Sequence, residues 1–241
     1  MLQVFSLPVL KDNYSYVLRD EKSKKTAIID PGEASPLIDF LEARTWRPDF
    51  IWNTHHHWDH IGGNDALKKK YQSKIWCSSI DLNQIPGSER GLSDEEFFDF
   101  GAYQFQALHI PGHTWGHMAL FCESEKLVFT GDTLFSLGCG KVFTEDYEKM
   151  FSSLSRLAKL PLDTKIFSGH EYTLSNLKFL ESLNPESSMV ELREALEDQI
   201  RKSQTTQGST LQFELTWNPF LKSKNFSEFK NLRIKKNLYS S

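Results

Sequence analysis

The stretch IWNTHHHWDH, residues 51–60, contains four of the chain's eight histidines and one aspartate. A packed core has little use for so many imidazoles, because each buried ring needs a hydrogen-bond partner. Imidazole and carboxylate groups are instead good ligands for divalent zinc, iron or manganese. The stretch begins inside FIWNT, residues 50–54, which has the composition of a buried strand. We therefore expect a metal site at the end of this strand.

The spacing within the cluster divides its members between two ions. His55 and His57 are two residues apart at a strand end, so their side chains lie on one side and can face one ion. His56 then points away, and we expect it not to be a ligand. Asp59 and His60 follow after the chain has begun to turn. They are placed to serve a second ion.

Three later segments supply further ligands, each shortly after a predicted strand. PGHTWGH offers His113, FTGDTLF offers Asp132 and FSGHEY offers His170. Loops at strand ends are a common place for functional side chains, because the sheet holds them rigidly. We expect one ion to bind His55, His57 and His113, a second to bind Asp59, His60 and His170, and Asp132 to bridge the two.

A centre of this kind stays net positive after its carboxylates are counted, so it can hold hydroxide at neutral pH. This predicts a hydrolase. We expect Asp132 to couple the two ions and Asp59 to position the hydroxide, which makes both of them catalytic residues. His109 is expected to be a hydrogen-bonded, partly buried side chain, and His117 to be structural or to support a ligand. Asp30 either orients a ligand from behind or initiates the turn at Pro31.

The composition excludes several classes of protein. The chain has 241 residues, 39% of them hydrophobic and 25% charged, which indicates a folded globular chain of one large domain, with or without a small appendage. A net charge of −4 argues against nucleic acid as a partner. No apolar run reaches the roughly 18 residues of a membrane span, and the N-terminal segment does not resemble a signal peptide.

The cysteines indicate a reducing compartment. Cys77, Cys122 and Cys139 are isolated and odd in number, so a disulfide framework is not expected. Cys139 in GCGK is either a reactive thiol or, as we favour, a small residue in a tight loop. We expect a cytoplasmic protein and take a monomer as the default.

Hydrophobic periodicity predicts alternating strands and helices up to residue 172 and only helices beyond it. The expected strands are 3–9, 14–20, 26–32, 50–54, 73–79, 101–112, 117–124, 126–133 and 164–170, and the expected helices are 35–45, 64–71, 145–160 with Thr144 as N-cap, 173–184, and 188–206 with a capping box from Ser188 to Glu191. This pattern predicts an α/β catalytic domain over residues 1–172 and a small all-α domain over residues 173–241.

The motifs THHHWDH, PGHTWGH, GDTLF and GHEYT together resemble the metallo-β-lactamase superfamily. All seven of its metal-ligand positions have matching residues in this chain. The resemblance implies a four-layered αβ/βα sandwich with a two-metal site at one edge.

A closer resemblance, covering nearly the whole chain, is to the glyoxalase II family of hydroxyacylglutathione hydrolases. It includes KDNYSYVL (11–18), IIDPGEA (28–34), GDTLFSLGCGK (131–141) and WNPFLK (217–222). The resemblance implies that the helical region covers the site and binds glutathione, and that Lys141, Tyr172 and Lys222 contact the glutathione part of the substrate. The basic segment from Lys222 to Lys236 fits an anionic substrate.

The chain departs from the family pattern at the glutathione site. Lys222 stands where many members have Arg, and Lys cannot form the bidentate pair that Arg forms with a carboxylate. Phe143 stands where some members have Tyr, and it cannot hydrogen-bond. Either Lys224 or Asn225 occupies the position of a second cationic contact. These departures concern affinity and strictness for glutathione, and they leave the metal chemistry unchanged.

The resemblance implies hydrolysis of S-D-lactoylglutathione and other S-2-hydroxyacylglutathiones to a 2-hydroxy acid and glutathione, the second step of methylglyoxal detoxification. Zinc is the expected metal, with iron or manganese as alternatives. The rival functions are a lactonase or non-glutathione thioesterase, a persulfide dioxygenase-like enzyme with one iron, and a non-catalytic metal-binding or nucleic-acid-processing module. The helical region counts against the lactonase or non-glutathione thioesterase. The complete second ligand set counts against the one-iron enzyme, and the acidic pI of about 6.1 counts against the nucleic-acid-processing module.

Overall fold

The computed structural model describes residues 1–183, 189–203 and 205–239. Its first sheet has six strands in sequence order: β1 (Leu2–Val9), β2 (Asn13–Asp20), β3 (Thr26–Ile29), β4 (Phe50–Trp52), β5 (Lys74–Ser78) and β6 (Ser88–Leu92). The first three strands are antiparallel, and β3 to β6 are parallel. Parallel neighbours need crossover connections. These include the helices α1 (Ser35–Glu42), α2 (Trp58–Ile61) and α3 (Asn64–Tyr71).

The second sheet is formed mainly from the middle of the chain. The remaining strands are β7 (Phe97–Phe100), β8 (Tyr103–His109), β9 (Met118–Cys122), β10 (Leu127–Gly131), β11 (Leu134–Phe135), β12 (Gly138–Cys139), β13 (Lys165–Ser168) and β14 (Ser209–Thr210). Six of them form the sheet in the order β14-β13-β10-β9-β8-β7, while β11 and β12 pair with each other. Within the six, only β10 and β13 are parallel neighbours.

The two sheets pack face to face across an aromatic core. Because side chains alternate along a strand, one set of each sheet points inward. Trp52 is fully buried between the sheets, where it makes edge-to-face contacts with Phe98 and Phe100 at 5.2 Å between ring centroids. Tyr16 and Phe129 contact each other across the same layer at 5.1 Å. The inner faces of the sheets therefore form the central core of the molecule.

Helices cover both outer faces. Val17, Ile28 and Ile51 pack on one side against Leu37 of α1 and Leu67 of α3. The outer face of the second sheet packs against the helix α4 (Tyr147–Leu157) and against three C-terminal helices, α5 (Thr173–Leu183), α7 (Leu211–Trp217) and α8 (Phe226–Leu238). The helix α6 (Val190–Ser203) packs against α5. The order helix, sheet, sheet, helix confirms the predicted four-layered αβ/βα sandwich.

The region after residue 172 is mostly helical, as predicted, but it also returns to the second sheet. The short strand β14 pairs antiparallel with Lys165 and Ile166 of β13. It is followed directly by α7, whose Glu214 is fully buried. Both oxygens of that carboxylate accept hydrogen bonds, from the Ser136 hydroxyl at 2.9 Å and the Leu137 N–H at 2.8 Å. The C-terminal region is thus joined to the sheet by strand pairing and by buried polar contacts.

Several local predictions need correction. Strands β6 and β7 were not predicted. The sequence of β6, SERGL, and the stretch that contains β7, DEEFFDF (94–100), carry too many polar residues to show a strand pattern. Thr144 is not the N-cap of α4, since its hydroxyl donates to the carbonyl of Gly112. Asp146 caps the helix instead, accepting from Lys149 N at 2.9 Å. Ser188, the first residue of the predicted capping box, lies outside the described residues.

The three cysteines are buried and unpaired by disulfide. Burial raises the pKa of the Cys77 thiol to about 11 and also raises the pKa of Cys122 and Cys139. Within the described residues, no helix combines the length and apolar composition required to cross a lipid bilayer.

Candidate metal centre

The predicted ligands all follow strands whose ends meet at one edge of the sandwich. His55 and His57 come after β4, Asp132 follows β10, and His170 follows β13. The short helix α2 carries Asp59 and His60, and His113 lies in the loop after β8. Each strand is anchored in the core, so the loops hold their side chains at fixed positions relative to one another.

The structure brings the first predicted set together. The ligand atoms of His55, His57 and His113 all lie within 4.8 Å of one another. His57 Nδ1 and His113 Nε2 are 3.0 Å apart. His55 is fully buried and His113 is 4% exposed, while His57 is half-buried and faces the opening. Three imidazoles with converging nitrogen atoms are a common zinc-binding arrangement.

The second predicted set also converges. The ligand atoms of Asp59, His60 and His170 lie within 4.8 Å of one another. The carboxylate oxygen Oδ2 of Asp59 is 3.6 Å from His60 Nε2 and 3.4 Å from His170 Nε2. This set has one carboxylate and two imidazoles, a mixture that suits zinc, iron or manganese.

Asp132 lies between the two sets and contacts both. Its Oδ2 atom is 3.4 Å from His113 Nε2 and 3.3 Å from His170 Nε2. Its Oδ1 atom is 3.4 Å from His60 Nε2. Gly169 makes this approach possible, since a Cβ there would lie 2.3 Å from Asp132 Oδ1. Asp132 therefore occupies the position that a bridging carboxylate requires.

Unpartnered atoms show that these residues fit a metal. His55 Nε2, His60 Nε2 and Asp132 Oδ1 are buried without a hydrogen-bond partner. Buried polar atoms are normally satisfied, and unpaired ones carry a free-energy cost. Cations placed among these atoms would satisfy all three at once. The donor chemistry and the burial are both those of a divalent metal centre.

The electrostatics of the site favour positive charge. Burial lowers the pKa of His55 well below its ordinary value, so this imidazole is neutral and can donate a lone pair. Burial also disfavours the charged form of His60, but Asp132 and Asp30 raise its pKa well above the ordinary value. Against the effect of burial, His60 and His170 hold the pKa of Asp132 well below its usual range. The carboxylates thus create a region that a cation stabilises.

Groups behind the ligands fix their orientation. Asp30 accepts from Thr54 N at 2.7 Å and from Thr54 Oγ1 at 2.6 Å, and it lies 3.0 Å from His60 Nδ1. His117 is fully buried, stacks on His55 at 4.6 Å and accepts from the backbone N–H of Asp132 at 3.0 Å. Partners of this kind select the ring nitrogen that faces a metal. Both residues support ligands from behind.

The turn between β1 and β2 reaches the second set. Asp12 Oδ1 lies 2.8 Å from His170 Nδ1, and Asn13 Nδ2 donates to Asp59 Oδ2 at 2.9 Å. On the other side of the centre, His113 Nδ1 lies 2.9 Å from the carbonyl of Lys141. Asp12 and Asn13 were not predicted from the sequence. They are 158 and 46 residues from their partners, and no local pattern links them.

The remaining histidines lie away from the ligand sets. His56 points away from both sets, towards the buried Asp81, with its Nδ1 atom 3.1 Å from Asp81 Oδ2. His109 Nε2 lies 3.0 Å from the carbonyl of Leu92, in a half-buried position. Both placements agree with the sequence-based expectation that neither side chain is a ligand.

A cavity of about 440 Å³ opens directly on the centre. Besides ligands, Lys141, Phe143, Tyr172 and Trp58 line it. Tyr172 stacks on His170 with the ring planes 5° apart and the centroids at 4.8 Å. Phe143 is 56% exposed and meets His57 and His113 edge to face, at 5.4 and 5.2 Å. Three of the five predicted substrate contacts, Lys141, Phe143 and Tyr172, are thus beside the metal ligands.

The structure does not bring the other two predicted substrate contacts into this lining. Lys222 lines a separate cavity of about 470 Å³ together with Trp217 and Lys235. Lys224 is exposed in the loop before α8, and its backbone N–H donates to Glu228 Oε2 at 2.9 Å. A role for Lys222 and Lys224 in substrate binding stays a prediction.

Comparison with known proteins reveals relatives over most of the chain. The family model described as metallo-beta-lactamase superfamily matches residues 10–170, and that described as hydroxyacylglutathione hydrolase C-terminus matches residues 171–239. The hydroxyacylglutathione hydrolase of Methylococcus capsulatus is 42% identical, over 92% of this chain and 87% of its own. That of Pelagibacter ubique is 39% identical, over 96% and 99%.

Solved structures show the same architecture. The crystal structure of ETHE1 from Myxococcus xanthus superposes with a TM-score of 0.74 and covers 98% of this chain and 92% of its own. Its sequence is 22% identical, so the likeness concerns the fold alone.

Proposed function

Because the chain belongs to the hydroxyacylglutathione hydrolase family of the metallo-beta-lactamase superfamily, we propose that it hydrolyses S-D-lactoylglutathione and related 2-hydroxyacyl thioesters to the hydroxy acid and glutathione. The observation that supports this most directly is the convergence of two ligand sets on Asp132 beneath an open cavity. The chain is a hydrolase with a divalent metal centre.

We propose that the centre holds two ions. His55, His57 and His113 would bind one, Asp59, His60 and His170 the other, and Asp132 would contact both. Bound ions would supply an activated water and an electrophile for the thioester carbonyl. The proposed metal is zinc, and the ligands also suit iron or manganese.

The chain's own residues would position the reactants. Asp59 is partly exposed at the cavity and is oriented by Asn13, so its carboxylate is placed to orient the attacking water. Phe143 and Trp58 provide apolar walls that would exclude bulk water from the thioester. The leaving thiolate has a conjugate-acid pKa near about 8.5, so it can depart without a strong general acid. This removes the need for a further acid residue beside the cavity.

Lys141 would recognise the anionic peptide part of the substrate. Its ammonium lies 5.0 Å from the centroid of the Phe143 ring, on the rim of the cavity. Tyr172 would add an apolar face and a hydroxyl on the opposite side. We keep Lys222 and Lys224 as proposed additional contacts on the strength of the family resemblance. We also propose that the protein is cytoplasmic, which its unpaired cysteines support, and that it acts as a monomer.

The deciding experiment measures thiol release from S-D-lactoylglutathione by the zinc-loaded protein, beside the variant Asp132→Ala. We expect rapid release by the wild type and a loss of at least about 1000-fold in the variant, since the bridging carboxylate is removed. His56 lies in the same motif but in neither ligand set, so His56→Gln is the control and should keep most of the activity. A wild-type protein that holds two metal ions yet releases no thiol would overturn the proposed function.

A further inference from the structure

The backbone around His170 lies where β13 leaves the second sheet. On one side β10 continues beside it, and Gly169 N donates to the carbonyl of Gly131 at 2.8 Å. On the other side β14 pairs only with Lys165 and Ile166, so it ends before the ligand is reached. Buried peptide groups beyond the end of a neighbouring strand still need hydrogen-bond partners.

The side chain of Gln207 continues this pairing beyond the end of β14, at Ser168. Its amide has the same donor and acceptor as a peptide group. Oε1 accepts from the backbone N–H of Ser168 at 2.7 Å, and Nε2 lies within 3.4 Å of the carbonyl of His170. Oε1 also accepts from the hydroxyl of Tyr16 at 3.0 Å. Gln207 therefore contacts the backbone two residues before the ligand, at Ser168, and the carbonyl of His170 itself, which also accepts from Ser168 Oγ at 3.2 Å.

The next residue along the chain is held by the same segment. The carboxylate of Glu171 accepts from Thr206 N at 2.9 Å and from Thr206 Oγ1 at 2.8 Å. It also accepts from Tyr14 OH at 3.0 Å. Thr206 is 2% exposed, so these bonds are shielded from water. Thr206 and Gln207 thus hold the residues on both sides of His170, through the Glu171 side chain and the Ser168 backbone. They add to the backbone bonds from Tyr14 N to the Gly169 carbonyl and from Glu171 N to the Asp12 carbonyl, both at 2.8 Å.

We infer that Gln207 is a positioning residue for the second metal position, and that the segment after α6 therefore helps to assemble the metal centre. The helical region then has a second role beside substrate binding: it sets where His170 stands relative to Asp59 and His60. The inference rests on the proposed two-ion centre. It concerns metal affinity, so it can be tested without turnover.

The test is a chelator titration of the zinc-loaded protein, with the metal content of each species measured, for Gln207→Ala and for Gln207→Glu. Loss of a partner behind a metal ligand typically weakens metal binding by about 10- to 100-fold. We expect Gln207→Ala to release one zinc equivalent at least about 10-fold more readily, with the other unchanged. Gln207→Glu keeps the acceptor for Ser168 and should fall between Gln207→Ala and the wild type. Gln212→Ala, at an exposed position on α7, is the matched control.

Two results would overturn the inference. One is a Gln207→Ala protein that binds both ions as tightly as the wild type. The other is equal weakening of both ions, which would indicate general destabilisation. If circular dichroism shows that Gln207→Ala does not fold, the variants Gln207→Glu and Gln207→Asn replace it. The inference is then overturned if both of these variants bind both ions as tightly as the wild type does.

The wild-type control separates this inference from the proposed function. Wild-type protein that binds only one ion per chain would contradict the proposed two-ion centre, on which both the proposed mechanism and the role of Gln207 rest. Protein that binds two ions but does not cleave the thioester would refute the function and leave the role of Gln207 standing.

Discussion

Asp30 shows how one buried carboxylate can hold residues of both predicted ligand sets in place. It has a backbone φ of +49°, in the left-handed region, at the end of β3. Its Oδ1 atom accepts a hydrogen bond from Thr54 N, and its Oδ2 atom accepts one from Thr54 Oγ1 and faces His60 Nδ1. The same side chain therefore holds Thr54, which precedes His55 after β4, and the ring of His60 in the second set.

We expect Asp30→Ala to destabilise the metal-free protein. The change leaves Thr54 N and Oγ1 buried without an acceptor, which costs roughly 1 to 3 kcal/mol of unfolding free energy. Urea unfolding in the presence of a chelator measures this directly. Asp65→Ala, at an exposed ion pair with Lys69, should stay within about 0.5 kcal/mol of the wild type. A metal-free Asp30→Ala protein of wild-type stability would show that the role assigned to this carboxylate is wrong.

Lys141 provides a test of substrate recognition at the same scale. Lys141→Met keeps the aliphatic stem and removes the charge beside the cavity. We expect KM for S-D-lactoylglutathione to rise about 10-fold with kcat little changed, because the contact is equally strong in ground and transition states. Lys126→Met, at an exposed pair with Asp163, is the control.

The same kinetics with Lys222→Met would decide its role. A rise in KM there would show that the chain brings Lys222 to the substrate. An unchanged KM for Lys141→Met would contradict the assignment made for the cavity.

At the scale of elements, the hydrophobic pattern predicted the central strands and the helices α1, α3, α4, α5 and α6, but not the helices α2, α7 and α8. It also failed where polar side chains set the boundaries. The start of α4 is an example. Both Thr144 and Asp146 are good capping residues by type, and the choice depends on the carbonyl of Gly112, which is 32 residues away and accepts from Thr144. Strand β6 was missed for a related reason, since SERGL becomes a strand only through pairing with β5.

The N-cap of α4 gives a prediction at this scale. Asp146 Oδ1 accepts from Lys149 N at 2.9 Å, so Asp146→Ala should cost about 1 kcal/mol of unfolding free energy. The melting temperature should fall by roughly 2 to 4 °C. Asp163→Ala, which removes an exposed ion pair instead of a cap, should leave it nearly unchanged. Equal melting temperatures for both variants would show that Asp146 adds nothing as a cap.

The site was predictable from sequence to the extent that its chemistry is concentrated in short motifs. His55, His57, Asp59 and His60 stand in one cluster, and the other ligands follow recognisable strands. Their supports could not be predicted in the same way. Asp12 and Gln207 come to His170 from opposite ends of the chain, and only the folded arrangement of strands β1, β2, β13 and β14 places them there.

At the scale of the whole molecule, Asp20 joins the two sheets. It stands at the end of β2 and is fully buried. It accepts from Ser23 Oγ at 2.6 Å within the first sheet's hairpin, and from Ala102 N at 3.1 Å in the turn between β7 and β8. A Cβ on Gly101, whose φ is +62°, would lie 2.0 Å from its Oδ2 atom. The two sheets are therefore in close contact at this end through one carboxylate.

This contact predicts a pH dependence of stability. Burial would raise the pKa of Asp20, but its hydrogen bonds from Ser23, Lys22 and Ala102 lower the pKa to about 2, from 3.8. A depressed pKa stabilises the folded state above pH 3.8, and that stabilisation is lost as the pH falls towards 2. It amounts to on the order of 1 to 2 kcal/mol.

Asp20→Asn should therefore be less stable than the wild type at pH 7, and the difference should shrink between pH 4 and pH 2.5. Urea unfolding across this range measures the effect. A difference that stays constant with pH would mean that Asp20 does not titrate as described. Asp163→Asn, whose carboxylate is exposed, serves as the control for the loss of one surface charge.

The burial of all three cysteines has a consequence for an enzyme whose product is a thiol. Glutathione is released from a protein whose three cysteines, Cys77, Cys122 and Cys139, are buried and have raised pKa values. Mixed-disulfide exchange requires an accessible thiolate. The native fold therefore protects all three thiols from S-glutathionylation by the thiol that the reaction releases.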